Sequence, residues 1–159
     1  MPAQDNPKVI APVARQPQST DTATNAFDEV ADKALRAMKQ RADELKIKGV
    51  AVIAYAPGDQ VHAWSSKMLV IGNLAIAPSP DNKGSNLLGI AYAKAAEMAA
   101  TLKDSGSGVR PPLTGEFGWQ GGVVSQGKTG ILIAAFSGGP SEDDVRVSRA
   151  GLEVLQSAL

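Results

Sequence analysis

The sequence predicts an α/β (α+β) domain built as three layers, α/β/α, around one antiparallel sheet of about five strands. Three observations carry this expectation. Three stretches repeat apolar residues at three- and four-residue steps, as helices with one buried stripe do. Two short runs, Gly49 to Ala56 and Ile131 to Phe136, are apolar at nearly every position, so each reads as a strand covered on both faces. Turn residues beside each run imply hairpins, and hairpins imply antiparallel pairing. At 159 residues, 16.4 kDa and 43% hydrophobic content, the chain has material for one core.

Pro2, Pro7, Pro12 and Pro17 are spaced evenly among Gln, Ser, Thr and Asp, so residues 1–24 read as an extended, Pro-rich tail and residues 25–159 as a single domain. Val9, Ile10 and Val13 give that tail a small apolar surface suited to a neighbouring subunit. Phe27, Val30, Ala31, Ala34, Leu35, Met38, Ala42 and Leu45 form the stripe of a first helix, with Thr24 or Asn25 as its cap and Gly49 as its stop. The strand Gly49 to Ala56 runs into Pro57-Gly58-Asp59, a turn, and a return strand is expected over Gln60 to Ser66. His62 and Trp64 share one side of it, and Met68 to Ile76 is expected to add another strand.

After a loop over Pro78 to Gly84, Ser85 is placed to cap a second helix that is mostly alanine and ends at Gly106. Residues 104–118 are rich in Gly and Pro and lack periodicity, which marks a long loop of functional interest. A second hairpin joins Val123-Val124 to Ile131–Phe136 around Gln126-Gly127-Lys128. Ser141 is expected to cap the last helix, with Asp144 in a capping-box-like position and Val145, Leu152, Leu155 and Leu159 buried.

Composition removes several function classes. Sixteen basic and sixteen acidic residues leave no net charge, so no nucleic-acid partner is expected. No apolar run approaches the roughly 20 residues of a membrane helix, so no membrane insertion is expected either. With no cysteine, thiolate metal sites, Cys nucleophiles and disulfides are excluded. Met1 to Asp5 lacks the basic end and apolar run of a secretory signal, which leaves a cytoplasmic location, or a periplasmic or secreted one after removal of a leader.

Few residues carry chemistry. His62 is the only histidine; a lone imidazole suffices as an axial haem ligand, while the alternative is a surface or interface histidine. Phe117 and Trp119 concentrate aromatic surface in the glycine-rich Gly115 to Gly122 loop, suited either to a flat apolar ligand or to packing over the sheet end. Lys94, on the alanine-rich helix, either reaches solvent along its stem or supplies a cation for a ligand carboxylate. Glu142, Asp143 and Asp144 are consecutive on a helix and cannot converge on a metal ion.

The run Ile90-Ala91-Tyr92-Ala93-Lys94-Ala95-Ala96, then Gly121-Gly122-Val123, then Gly130 to Asp144 with Ser137-Gly138-Gly139-Pro140-Ser141, resembles the GlcG/HbpS-like family, which includes the C-terminal domain of PduO. The likeness covers about residues 25–158, with Lys94, Gly121 and Gly122 on its motif positions. It departs from the family at Pro57-Gly58-Asp59, where an Asp-Gly-Gly turn is usual, and at Val123, where a Pro is usual. The resemblance implies an antiparallel sheet between helices, homo-oligomers, and, for some members, binding of haem or its degradation products. On that basis the expected protein is a non-catalytic binder of haem or a related tetrapyrrole, held between the Gly115 to Gly122 loop and the second helix. Its ligand set comprises His62, Tyr92 or Met98 as axial candidates, with Lys94, Glu116, Phe117, Trp119, Gly121 and Gly122 around them. Two rival readings are an oligomeric accessory or scaffold protein without a small ligand, and an enzyme acting on haem or a small organic acid, with Lys94 as cation and Glu116 as general base.

Overall fold

The computed structural model describes residues 19–159, so the expectations for residues 1–18 lie outside the described part. The first helix, α1, spans Ser19–Leu45 and begins before Thr24 and Asn25, which lie inside it and cap nothing. Its stripe extends backward through Ala23 to bury one more turn against the core. Lys46, with φ of 56°, ends the helix in the left-handed conformation, three residues before the expected stop. Gly49 opens a strand instead, pairing with Ile71, and a Cβ there would run into the backbone of Ser137.

The main sheet has four strands in the order β2-β1-β6-β5, all antiparallel: β1 Gly49–Pro57, β2 Ser65–Ile71, β5 Gly122–Gln126 and β6 Gly130–Ser137. The return strand was expected over Gln60 to Ser66, but pairing starts at Ser65 and residues 58–64 form a loop. Pairing Gly49 with Ile71 and Val52 with Met68 directs Leu69 and Ile71 to one core and Met68 to the other, while Val70 stays exposed. The expected strand over Met68 to Ile76 is divided. Its first half is β2, and Ala75–Ile76 (β3) pairs with Ser85–Asn86 (β4) in a separate two-stranded ribbon. That ribbon accounts for the difference between the four strands observed and the five expected.

Strand alternation builds two cores. Ala51, Ile53 and Tyr55 of β1 join Leu132, Ala134 and Phe136 of β6 beneath α1 and the last helix, α3, Ser141–Ala158. Val50, Val52, Ala54 and Ala56 join Ile131, Ile133 and Ala135 beneath α2, Leu87–Thr101. The expected α/β/α layering is therefore present, with two helices on one face and one on the other. Asn86, not Ser85, caps α2, its Oδ1 accepting from the Gly89 N–H at 3.0 Å. Leu102 closes the helix at φ of 55°, four residues before Gly106. Pro140 holds the N-cap position of α3, which leaves Asp144 available for another task.

A Gly49→Ala substitution places a methyl group against the β6 backbone, where no flexible side chain can yield. It is expected to lower stability by about 1–3 kcal/mol, read as a lower urea midpoint with an unchanged slope.

Candidate functional site

Two concavities flank α2. From Leu87, steps of three and four lead through Ile90 and Lys94 to Met98 along one side of the helix; Tyr92, Ala96, Ala99 and Ala100 lie on the other. The candidate ligands named from the sequence are thereby divided between two places.

The first is an open groove of about 430 Å³ between residues 61–64 and the alanine face of α2, lined by Val61, His62, Ala63, Trp64, Ala96, Ala99 and Ala100. His62 is exposed on the loop that precedes β2, and among the described residues its ring makes no hydrogen bond. Trp64 tilts against Tyr92 with ring centroids 6.4 Å apart, and the Tyr92 hydroxyl shares a hydrogen bond with Ser66 Oγ at 3.0 Å. This fixes the far wall. The three alanines present a flat, low-relief surface that a planar molecule can approach closely, and no wider side chain would leave that space open.

The second is a cleft of about 200 Å³ at the end of the sheet, lined by Ile76, Leu87, Ile90, Lys94, Trp119, Gln120, Ser137, Ser141 and Asp144 among others. Lys94 is buried at its floor. Its Nζ donates to the Phe136 carbonyl at 2.8 Å and to Asp144 Oδ2 at 3.0 Å. Asp144 Oδ1 in turn accepts from the Gly139 N–H at 2.8 Å, so the acid read as a helix cap is the lysine's partner. Burial pulls the two groups toward neutrality from opposite sides: desolvation lowers the Lys94 pKa and raises that of Asp144, each outweighing the attraction between them. Gly121, with φ of 134°, lies against Nζ, and any Cβ there would overlap it. Gly122 abuts the Met98 side chain in the same way, while the Gly121 carbonyl accepts from Ser148 Oγ at 2.6 Å. The glycine pair therefore leaves room for Lys94 and Met98. Met98 itself is fully buried in the core under α2.

The loop over residues 104–121 is pinned. Arg110 meets Glu116 through two hydrogen bonds of 2.7 and 3.0 Å, and Glu116 also accepts from the Leu113 N–H at 2.9 Å. The guanidinium holds the Glu116 carboxyl down at about 2, so it is a poor general base. Beyond the staple, Phe117 and Trp119 stack with centroids 4.6 Å apart and remain half exposed, at 49% and 50%. Trp119 forms the rim of the smaller cleft; Phe117 lines neither concavity. His62 and Tyr92 thus sit across α2 from Lys94, Gly121, Gly122 and Trp119, and the structure does not bring all the sequence-derived candidates into one pocket. Asp144, Trp64, Arg110 and the Ala96-Ala99-Ala100 face are the additions. For Asp144, Trp64 and the alanines the signals were present as a helix-start acid, an aromatic beside His62 and small residues at helical spacing, each with an ordinary structural explanation; Arg110 carried none.

Among the described residues no group of three or more His, Asp or Glu gathers as a metal-binding cluster, and no helix is long and apolar enough to cross a membrane.

In fold, the chain is similar to the protein in the crystal structure of a PduOC–haem complex, with a TM-score of 0.59 at 17% identity over 79% of this chain and 91% of that one. It also matches HbpS, at 22% identity and a TM-score of 0.46 over 92% of this chain and 99% of that one. A double mutant of Streptomyces reticuli HbpS gives 23% identity and 0.45 over 97% and 99%. No protein-family model matches the chain, and no curated protein matches it in sequence. The α/β/α fold expected from the GlcG/HbpS-like resemblance is the fold observed.

Two measurements test the site's internal bonds. Lys94→Met leaves the buried Asp144 carboxyl group without its partner and is expected to cost about 3–5 kcal/mol in urea unfolding, with Lys94→Met/Asp144→Leu recovering much of the loss. The Glu116 carboxyl, lowered from 4.5 to about 2, contributes stability that is fully present above pH 4.5 and lost as pH falls through about 2. The Tm difference between wild type and Glu116→Gln is therefore expected to be constant at neutral pH and to shrink on acidification through that window.

Proposed function

We propose that this protein binds haem or a closely related tetrapyrrole without catalysing a reaction, in the groove between residues 61–64 and the alanine face of α2, with His62 as axial ligand. The observation that carries the reading is the union, in one groove, of an exposed imidazole free of hydrogen bonds among the described residues, an indole wall and a run of small side chains. The groove's 430 Å³ lies within the roughly 300–1,000 Å³ range of sites that take small-molecule ligands. The shared fold with the protein of the PduOC–haem complex supports the same reading. The 200 Å³ cleft beside the Gly115 to Gly122 loop, where the sequence directed the ring, has less than half the groove's volume and is too small for a tetrapyrrole.

When bound, haem would supply an iron centre with one protein-derived imidazole. The chain's own residues would have three tasks: His62 would hold the iron through a ring nitrogen, Trp64 and the alanines would shield the site from water, and the Tyr92–Ser66 hydrogen bond fixes the wall behind Trp64. Tyr92 is on the correct side of α2 to serve as an alternative ligand, but its hydroxyl is engaged. Because the groove is open, the outer face of a bound ring needs cover, and a second copy of the chain is the proposed cover, in keeping with a homo-oligomer.

A difference-absorbance titration with hemin tests the assignment. A saturable Soret shift at one equivalent per chain is expected, moved or weakened at least tenfold in affinity by His62→Ala, about 1.4 kcal/mol. A shift unchanged by that variant would reject His62, and the absence of a saturable shift would reject the tetrapyrrole.

A further inference from the structure

The Lys94 cleft is unused by the haem reading and lies across α2 from its groove. Its chemistry is that of a capture site. Gln120, Ser137, Ser141 and Trp119 of the lining have side chains that carry hydrogen-bond donors, whereas both Asp144 oxygens already have partners in Lys94 and Gly139. A ligand for this lining is small and rich in acceptor oxygens. The volume of about 200 Å³ sets the size, and the apolar side chains of Ile76, Leu87 and Ile90 accommodate a short carbon end. At the floor stands an amine within hydrogen-bond distance of a carboxyl group, and Gly121 packs against Nζ where any side chain would overlap it.

We propose that this cleft binds a short 2-oxo acid and that Lys94 captures its carbonyl carbon as a Schiff base, with Asp144 as the proton carrier. The 3.0 Å hydrogen bond between Nζ and Asp144 Oδ2 gives the Lys94 proton a direct path to Asp144, and the form that attacks is the amine beside a carboxylic acid; burial draws each group in that direction. The nitrogen lone pair forms the C–N bond while the carbonyl oxygen takes the proton from Asp144, and the carboxylate then accepts a proton from the nitrogen. In the second half Asp144 returns that proton to the carbinol oxygen, the C–O bond breaks, and water leaves as C=N forms. The product is a protonated imine beside a carboxylate, with one water released and the charge of the pair unchanged.

The test is reductive trapping of the intact protein with pyruvate and sodium cyanoborohydride, followed by peptide mapping. The expected result is saturable labelling of Lys94, faster than at the exposed lysines and not reproduced by acetone, which lacks the carboxylate. Asp144→Asn is expected to slow labelling of Lys94 by about a hundredfold while leaving the surface lysines unaffected. Should that variant fail to fold, Trp119→Ala removes a half-exposed rim residue and is expected to weaken saturation by pyruvate several-fold. Labelling confined to surface lysines, or equal labelling of Lys94 by acetone, overturns the proposal. Hemin titration of the trapped protein is expected to match that of untreated protein, so failure at the groove and failure at the cleft are read separately.

Discussion

The pairing of β1 with β6 is the constraint from which the rest of the molecule follows. Both strands are buried on both faces, and they pair along eight positions from Val50 with Ser137 to Pro57 with Gly130. Neither strand can meet water on either face, so the chain must supply a helix layer above and below. The sequence does this with unequal means. α1 and α3 bring large residues such as Phe27, Met38 and Leu155 to one side, while α2 brings Ala91 and Ala95, set between Leu87 and Met98, to the other. Small side chains draw α2 close to the sheet but leave its flanks with little bulk. The two concavities lie along those flanks.

This explains the pattern of what the sequence disclosed. The doubly apolar runs and the helical stripes depend on local composition, and they specified the layering and the β5–β6 hairpin. The position of β2 was less legible because alternation over Gln60 to Ser66 satisfies a strand pattern as well as the true run does. The decision rests on which register places Leu69 and Ile71 in the core, a property of the partner strand. The helix boundaries moved for a related reason: Lys46 and Leu102 adopt left-handed backbone without being glycine, and no local signal marks such positions.

At the site, the residue types were readable and their grouping was not. Lys94 was recognised as unusual on an alanine helix, yet its partner Asp144 lies fifty positions later, at the start of a helix where an acid already has a reason to be. His62 was placed beside Trp64 through a strand alternation that the structure does not contain, and the two line one groove through a loop instead. Assigning candidates to one pocket failed because α2 divides them, and only the phase of the helix reveals which side each residue occupies.

The Arg110–Glu116 staple has a consequence for how the aromatic pair at the loop's tip meets anything in solution. A long glycine-rich segment would ordinarily have to surrender chain freedom on contact, and that loss would be charged against affinity. Here the cross-bridge closes a short ring within the segment, so Phe117 and Trp119 stand on a stem that is already ordered. With the stem ordered, contact with the exposed rings costs little further chain freedom.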